Sequence, residues 1–201
     1  MTDGPFPVAG DTRKAKCLMR KEVLSRRDAI VSRERTGKDE KIRQVLFSLP
    51  LFKQARTVLF YSSFRGEADT FELMRFFLSI GGSVVLPRVN EDRRDLTLYE
   101  IKNPDELVPG CFGVPEPLVS ADNVRDEGLM DLIIVPGTAF DTDCYRLGYG
   151  KGFYDKLLHR KGCPAVALAY EEQIVPFVPH ESHDVRMDMI ITDKGIIVRH
   201  G

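Results

Sequence analysis

Apolar positions first fall into a regular pattern after Thr12, a residue suited to cap a helix. Ala15, Met19, Val23 and Ile30 recur at helical spacing and predict a buried stripe on a helix from Thr12 to about Ser32. Ile42, Val45, Leu46 and Leu49 predict a second helix over Asp39 to Leu49. The apolar run Val58 to Tyr61 reads as a buried strand. Thr70 to Ile80 reads as a helix capped by Thr70, with Phe71, Met74, Phe77 and Leu78 inward and Gly81-Gly82 as its stop. Further strands are expected at Ser83 to Leu86, ended by Pro87, at Leu96 to Ile101, and at Leu132 to Val135, closed by Pro136-Gly137. A glycine-rich loop follows, then a helix from about Gly152 to Arg160. Ala165 to Ala169 and Met189 to Thr192 complete the strands, and Ile196 to Val198 offers a last pairing partner. No internal repeat is present. Short buried strands alternating with helices predict an α/β three-layer fold, in which a loop between a strand and a helix is the usual ligand position.

Composition narrows this without changing it. With 201 residues and 43% apolar content, one domain over residues 13–201 is expected, preceded by a flexible tail over residues 1–12. The net charge of −1 provides no global attraction to nucleic acid or acidic membranes. The charge is uneven, since bases outnumber acids between Arg13 and Arg56. Lys16 and Arg20 lie four apart and Arg27 seven further on, close to one helix face, so they present either a solvated basic stripe or a surface for a polyphosphate. Four scattered cysteines, Cys17, Cys111, Cys144 and Cys163, form no C-x-x-C pair, and reduced thiols are the simplest account. No segment has the run of apolar residues that a membrane helix needs, and the first residues lack the order of a signal peptide, so a cytoplasmic location is expected.

Candidate chemistry concentrates in three stretches. In Asp131 to Leu158, Gly148, Gly150 and Gly152 alternate around Lys151; glycines let backbone approach a ligand, and their N–H groups can cradle an anion. Lys151 and Arg146 add charge for phosphate oxygens, and Asp155 is placed to hold a magnesium ion. The loop is not a Walker A motif, which would need glycine at Tyr145 and Ser or Thr at Gly152. Its competing reading is a tight strand-to-helix turn with a surface lysine. In Tyr61 to Thr70, Glu67 lies between a strand and a helix, able to accept hydrogen bonds from the amino group and ring nitrogen of a pterin, or else to favour the helix dipole. In Pro179 to Asp188, His180 and His183 lack a third ligand and read as a surface turn, while Asp184 and Asp188 are carboxylates for a second magnesium contact. Asp141 and Asp143 read as turn chemistry.

In order along the chain stand Lys16-x-x-x-Arg20, Gly66-Glu67-Ala68-Asp69-Thr70, Leu86-Pro87-Arg88, Gly113-Val114-Pro115-Glu116-Pro117 and Asp131 to Gly137. Phe140-Asp141, Arg146-Leu147-Gly148-Tyr149-Gly150-Lys151-Gly152-Phe153-Tyr154-Asp155, Ala169 to Gln173 and His183-Asp184-Val185 with Asp188 follow. This ordered set resembles the 5-formyltetrahydrofolate cyclo-ligases over about Lys14 to Asp193. The resemblance implies a three-layer sandwich with a mostly parallel central sheet flanked by helices, NagB/RpiA/CoA-transferase-like. It implies an ATP- and Mg2+-dependent closure of 5-formyltetrahydrofolate, with or without a polyglutamate tail, to 5,10-methenyltetrahydrofolate, with release of ADP and phosphate. It implies that Lys16 and Arg20 contact ATP phosphates and that Arg146, Leu147, Gly148, Tyr149, Gly150, Lys151, Gly152, Phe153 and Tyr154 form the nucleotide loop. The catalytic group would be Lys16, Arg20, Arg146, Lys151 and Tyr154. Glu67 with Tyr149 to Phe153 would bind the folate, and Asp155 and Asp188 the magnesium. A monomer is expected, with no nucleic-acid or membrane partner. The rival classes are a folate- or nucleotide-binding regulator that does no chemistry, and a sugar-phosphate isomerase on a similar scaffold that acts without ATP.

Overall fold

In a computed structural model that describes residues 12–182 and 184–200, every strand expected from the apolar runs is present and all join one sheet. The proposed tail, apart from residue 12, and His183 lie outside the described residues. The helices and strands run α1 (Thr12–Asp28), α2 (Ser32–Ser48), α3 (Pro50–Gln54), β1 (Thr57–Leu59), α4 (Phe71–Ser79), β2 (Ser83–Asn90), β3 (Asp95–Ile101), β4 (Val108–Pro109), β5 (Pro115–Glu116) and β6 (Val124–Arg125). They continue as β7 (Leu132–Val135), β8 (Ala139–Phe140), β9 (Arg146–Leu147), α5 (Phe153–His159), β10 (Ala165–Leu168), β11 (Met189–Thr192) and β12 (Gly195–Val198). Eight strands form the central sheet in the order β12-β11-β10-β7-β1-β2-β3-β6. Its middle, from β11 to β2, is parallel; β12, β3 and β6 add antiparallel edges.

Period-two alternation sends side chains to two cores. Val58, Val84, Leu132, Ile134, Val166 and Leu168 meet Ile42, Leu46, Phe52, Met74 and Phe77 from α2, α3 and α4 on one face. Leu59, Val85, Ile133, Val135, Ala165 and Ala167 meet Leu157 and Leu158 of α5 on the other. Strands apolar on both faces are what a helix-covered parallel sheet requires. The fold is therefore the expected mostly parallel three-layer α/β arrangement. A third small cluster packs Met19 and Val23 of α1 against Ala139, Leu147, Val175 and Val178, which sets α1 beside β8 and β9.

Four local expectations need correction. The first helix ends at Asp28 rather than near Ser32, because Arg35 turns back to donate to the carbonyls of Arg27 and Ile30 (3.2 and 3.1 Å), satisfying groups a longer helix would have bonded. Ile30, placed on that helix's stripe, is buried in the turn that follows. The second helix begins at Ser32, well before Asp39; its first turns, Ser-Arg-Glu-Arg-Thr-Gly, carry no apolar stripe and so no periodic signal. Thr70 does not cap α4 with its side chain. Its hydroxyl donates to the Tyr61 carbonyl (2.6 Å), and Asp69 accepts from the N–H groups of Phe71 and Glu72 instead. Pro87 also fails to end β2. Val85 turns its carbonyl to β1, accepting from Phe60 N, and Pro87, two residues on, turns the same edge to a region past the last β1 pair, so its missing N–H is not required there.

Candidate active site

Beyond the ends of β1, β2 and β7, the chain encloses a cavity of about 620 Å3. Clefts at the carboxyl ends of parallel strands are the standard ligand position in open α/β sheets, and this volume suits a small-molecule site. One wall is the stretch Arg146 to Asp155; a second is α1 through Lys16, Arg20 and Arg27; a third is Phe64, Arg65 and Glu67 from the loop after β1; a fourth is Cys111, Phe112 and Glu116. Of the residues singled out from sequence, Lys16, Arg20, Glu67 and all of Arg146 to Asp155 meet here. Asp188 does not line the cavity. Its carboxylate accepts from Ala165 N (2.8 Å), pairs with Lys161, and lies 3.8 Å from Arg199, which fixes the start of β11. Asp184 lines the cavity instead, with Lys16 Nζ at 2.7 Å from its carboxylate and Glu181 N donating to it at 2.8 Å.

The glycine loop is held from below and left open above. Arg20 Nε donates to Gly148 O at 2.7 Å, while its two terminal nitrogens make no hydrogen bond among the described residues. Burial pulls the Arg20 guanidinium below its ordinary value, yet it remains a cation at any physiological pH. None of the backbone N–H groups from Gly148 to Gly152 has a hydrogen-bond partner among the described residues. Gly150 and Gly152 take φ of 90° and 72°, the left-handed region open to glycine, and a Cβ at Gly150 would press on the Arg20 guanidinium at 3.3 Å. Arg146 comes up from β9, buried, with Nη2 2.5 Å from Asp155 Oδ1, Nη1 3.3 Å from Pro136 O, and Nε buried without a partner. Lys151 lies over the exposed Phe112 ring at 4.9 Å.

On the opposite wall, Glu67 Oε1 accepts from the Tyr149 hydroxyl at 2.6 Å and Oε2 from Phe64 N at 2.9 Å. Burial raises the Glu67 carboxyl, and those two hydrogen bonds with the Arg27 charge work against the rise. Tyr154 is pushed well above the usual phenol range, chiefly by burial. Three contributors have no assigned role in the sequence reading: Asp184, which is passed over for Asp188 as the magnesium carboxylate, Arg27, which belongs only to the basic stripe, and Phe112. Phe112 holds a φ of 59°, which no sequence pattern announces.

The donor set bears on a metal. Asp155 and Asp184 line the cavity together with Asp28, Glu67 and Glu116, and no cluster of three or more His, Cys, Asp or Glu suited to a metal exists among the described residues. Among the described residues this set offers no all-protein cage but fits magnesium, which takes one or two carboxylates and completes its shell with phosphate oxygens and water.

A mostly parallel α/β sheet with a cation-lined, glycine-walled cavity beyond its carboxyl edge is the arrangement of an α/β enzyme with a small-molecule site. The 5-formyltetrahydrofolate cyclo-ligase family model matches residues 12–193, and the chain belongs to that family of ligases. It is 31% identical to the 5-formyltetrahydrofolate cyclo-ligase of Mycolicibacterium smegmatis, over 92% of this chain and 97% of that protein. It is 30% identical to the enzyme of that name from Escherichia coli K12, over 87% and 98%. Among solved structures, the 5,10-methenyltetrahydrofolate synthetase of Aquifex aeolicus superposes with a TM-score of 0.82 at 35% identity, covering 92% of this chain and 94% of that one. No described helix is long and apolar enough to cross a membrane.

Proposed function

We propose that this chain closes 5-formyltetrahydrofolate to 5,10-methenyltetrahydrofolate at the expense of ATP, releasing ADP and phosphate. One observation carries the assignment: Gly148 to Gly152, whose N–H groups have no hydrogen-bond partner among the described residues, the Arg20 guanidinium and the Glu67 carboxylate line one cavity, which brings a candidate anion cradle and a reader of ring N–H donors together. Family membership supplies the substrate.

The chemistry asks for a better leaving group. The formyl oxygen bonds to the γ-phosphorus as the bond from that phosphorus to the bridging oxygen of ADP breaks. N10 of the folate then attacks the formyl carbon, the carbon–oxygen bond breaks with its electron pair, phosphate departs, and the N10 proton is lost. No protein nucleophile is needed. The protein's share is alignment, for which well-oriented reactants gain roughly 7–11 kcal/mol, and charge stabilisation. Arg20, Lys16, Lys151 and the loop N–H groups take the phosphoryl oxygens. Glu67 holds the pterin amino group and ring nitrogen. Asp155 and Asp184, the latter replacing Asp188, would hold magnesium, which when bound neutralises charge on the phosphates.

The test is the near-ultraviolet absorbance of methenyltetrahydrofolate on mixing protein, Mg-ATP and 5-formyltetrahydrofolate. A rise that vanishes without ATP and is matched by ADP release is expected. Binding without product would make the chain a regulator, and product without ATP would exclude phosphoryl activation. Glu67→Gln is expected to raise the folate KM, and an unchanged KM and kcat would remove the ring assignment.

A further inference from the structure

Arg27 ends the cationic face of α1, and its side chain is only 3% exposed. Its Nη1 donates to the Tyr149 hydroxyl at 2.8 Å, its Nη2 donates to the Arg65 carbonyl at 2.7 Å, and its Nε is buried, makes no hydrogen bond among the described residues and lies 3.7 Å from Asp28 Oδ1. A buried guanidinium with one N–H that makes no hydrogen bond is a costly way to fill a helix face, since the desolvation of that N–H is not offset. Its position is explained by what it does to the next two groups. A guanidinium can only donate. The Tyr149 oxygen therefore accepts from Arg27, and its single proton is left for Glu67 Oε1, 2.6 Å away. Phe64 N, donating at 2.9 Å, makes Oε2 an acceptor too. Glu67 is thus an oriented carboxylate, accepting at both oxygens and keeping lone pairs for a ligand. Adjacent amino and ring N–H donors of a bound ring match that pattern.

We infer that Arg27 is a positioning residue for ring recognition: acting through the Tyr149 hydroxyl, it fixes Glu67 as the acceptor that reads the N–H donors of the bound folate ring. The inference rests on the folate assignment above and deepens it. Helix α1 grips the glycine loop at two separate points, Arg20 on Gly148 O and Arg27 on the Tyr149 hydroxyl. Losing the second leaves the first, with its free guanidinium end, in place. Ring binding and nucleotide binding consequently respond differently.

The experiment measures dissociation constants for 5-formyltetrahydrofolate and, separately, for Mg-ATP, by titration calorimetry on the wild-type chain, Arg27→Gln, Tyr149→Phe and the double variant. Each single variant is expected to weaken the folate about tenfold, as for loss of a charge-assisted hydrogen bond, with Mg-ATP affinity held within about twofold. The double variant is expected within about twofold of the weaker single one, because both changes break the same relay. Folate affinity unchanged in the single variants, additive losses of about a hundredfold, or parallel weakening of Mg-ATP would each overturn the inference. Should Arg27→Gln fail to fold, Tyr149→Phe decides alone, and wild-type folate affinity in it is fatal. A wild-type chain that binds no 5-formyltetrahydrofolate would instead sink the functional assignment, and this inference with it.

Discussion

The Arg146 guanidinium and the Asp155 carboxylate meet at 2.5 Å on the cavity wall, clasping the two ends of the glycine loop. Arg146 rises from β9 and Asp155 sits in the first turn of α5, so the pair fixes the loop's span. Asp155 lines the cavity with its side chain 30% exposed, and only its Oδ1 makes a hydrogen bond among the described residues. Asp155→Ala is expected to lower turnover at least about a hundredfold at saturating Mg-ATP, the usual loss for a key electrostatic group. Asp155→Asn keeps an acceptor for Arg146 but not the charge, and a comparable loss is expected. Initial rates check both, and near-normal turnover in Asp155→Ala would remove the metal role.

Asp184 and Asp188 stand four residues apart yet face different surroundings. Lys16 holds Asp184 at the cavity, whereas Lys161, Arg199 and Ala165 N hold Asp188 at the start of β11. Asp184→Asn is expected to move the magnesium activation curve to about tenfold higher concentration, since one of at most two protein carboxylates loses its charge. Asp188→Asn is expected to leave that curve in place and lower the thermal midpoint by a few degrees, about what loss of 1 kcal/mol produces. Rates measured across a magnesium series, with a melting curve for each variant, separate the two. The reverse pattern would restore Asp188 to the site.

That pair shows where the sequence stops being informative. The central strands were legible because Leu-Ile-Ile-Val and Ala-Val-Ala-Leu are apolar on both faces, which only a covered sheet requires. The glycine loop was legible because alternating glycines around a lysine carry chemistry in their spacing. The choice between Asp184 and Asp188 depends on which way a chain segment outside regular secondary structure turns, and one polar segment looks like another. The strands β4, β5, β6, β8 and β9 have two residues each, too short for any period to show. Arg27 carried a usable signal, its near alignment with Lys16 and Arg20 on α1, but its partner Tyr149 is 122 residues away. Only tertiary packing joins them.

Phe112 is 60% exposed on the cavity wall, with Lys151 against its ring, in a backbone conformation of φ 59° and ψ 14° that non-glycine residues enter at a cost of about 1–3 kcal/mol. An exposed aromatic ring held there offers a stacking face to a flat ligand. Phe112→Ala is expected to raise the KM for 5-formyltetrahydrofolate about tenfold with the ATP KM within about twofold. Phe112→Gly is expected to raise that KM equally while leaving the thermal midpoint unchanged or higher, because glycine adopts this conformation freely. Affinity and stability would then move in opposite directions. A folate KM unchanged in both variants would show that the ring makes no contact.

Lys38 of α2 tests how the helical layer is tied to the sheet edge and how stability depends on pH. Its ammonium lies 2.9 Å from Asp193 Oδ2 and 2.8 Å from Glu172 Oε1, and Asp193 Oδ1 accepts from Glu171 N at 2.9 Å. Burial works to raise the Asp193 carboxyl, but the hydrogen bonds from Glu171 N and Lys38 prevail and hold it below its ordinary value. A carboxyl lowered in the folded state stabilises it fully above the unfolded value, near 4, and loses that contribution as the pH falls through the folded value. The urea midpoint is therefore expected to fall below about pH 4 as Asp193 protonates. Lys38→Met leaves Asp193 buried without its cation, and a loss of about 3–5 kcal/mol at neutral pH is expected, as for a broken buried pair. The acid loss attributable to Asp193 should then shrink, since without Lys38 burial is opposed by backbone N–H groups alone and the folded value moves up toward the unfolded one. Urea titrations of both proteins between acid and neutral pH measure this, and a Lys38→Met variant as stable as wild type, with the same acid limb, would show that the triad holds nothing in place.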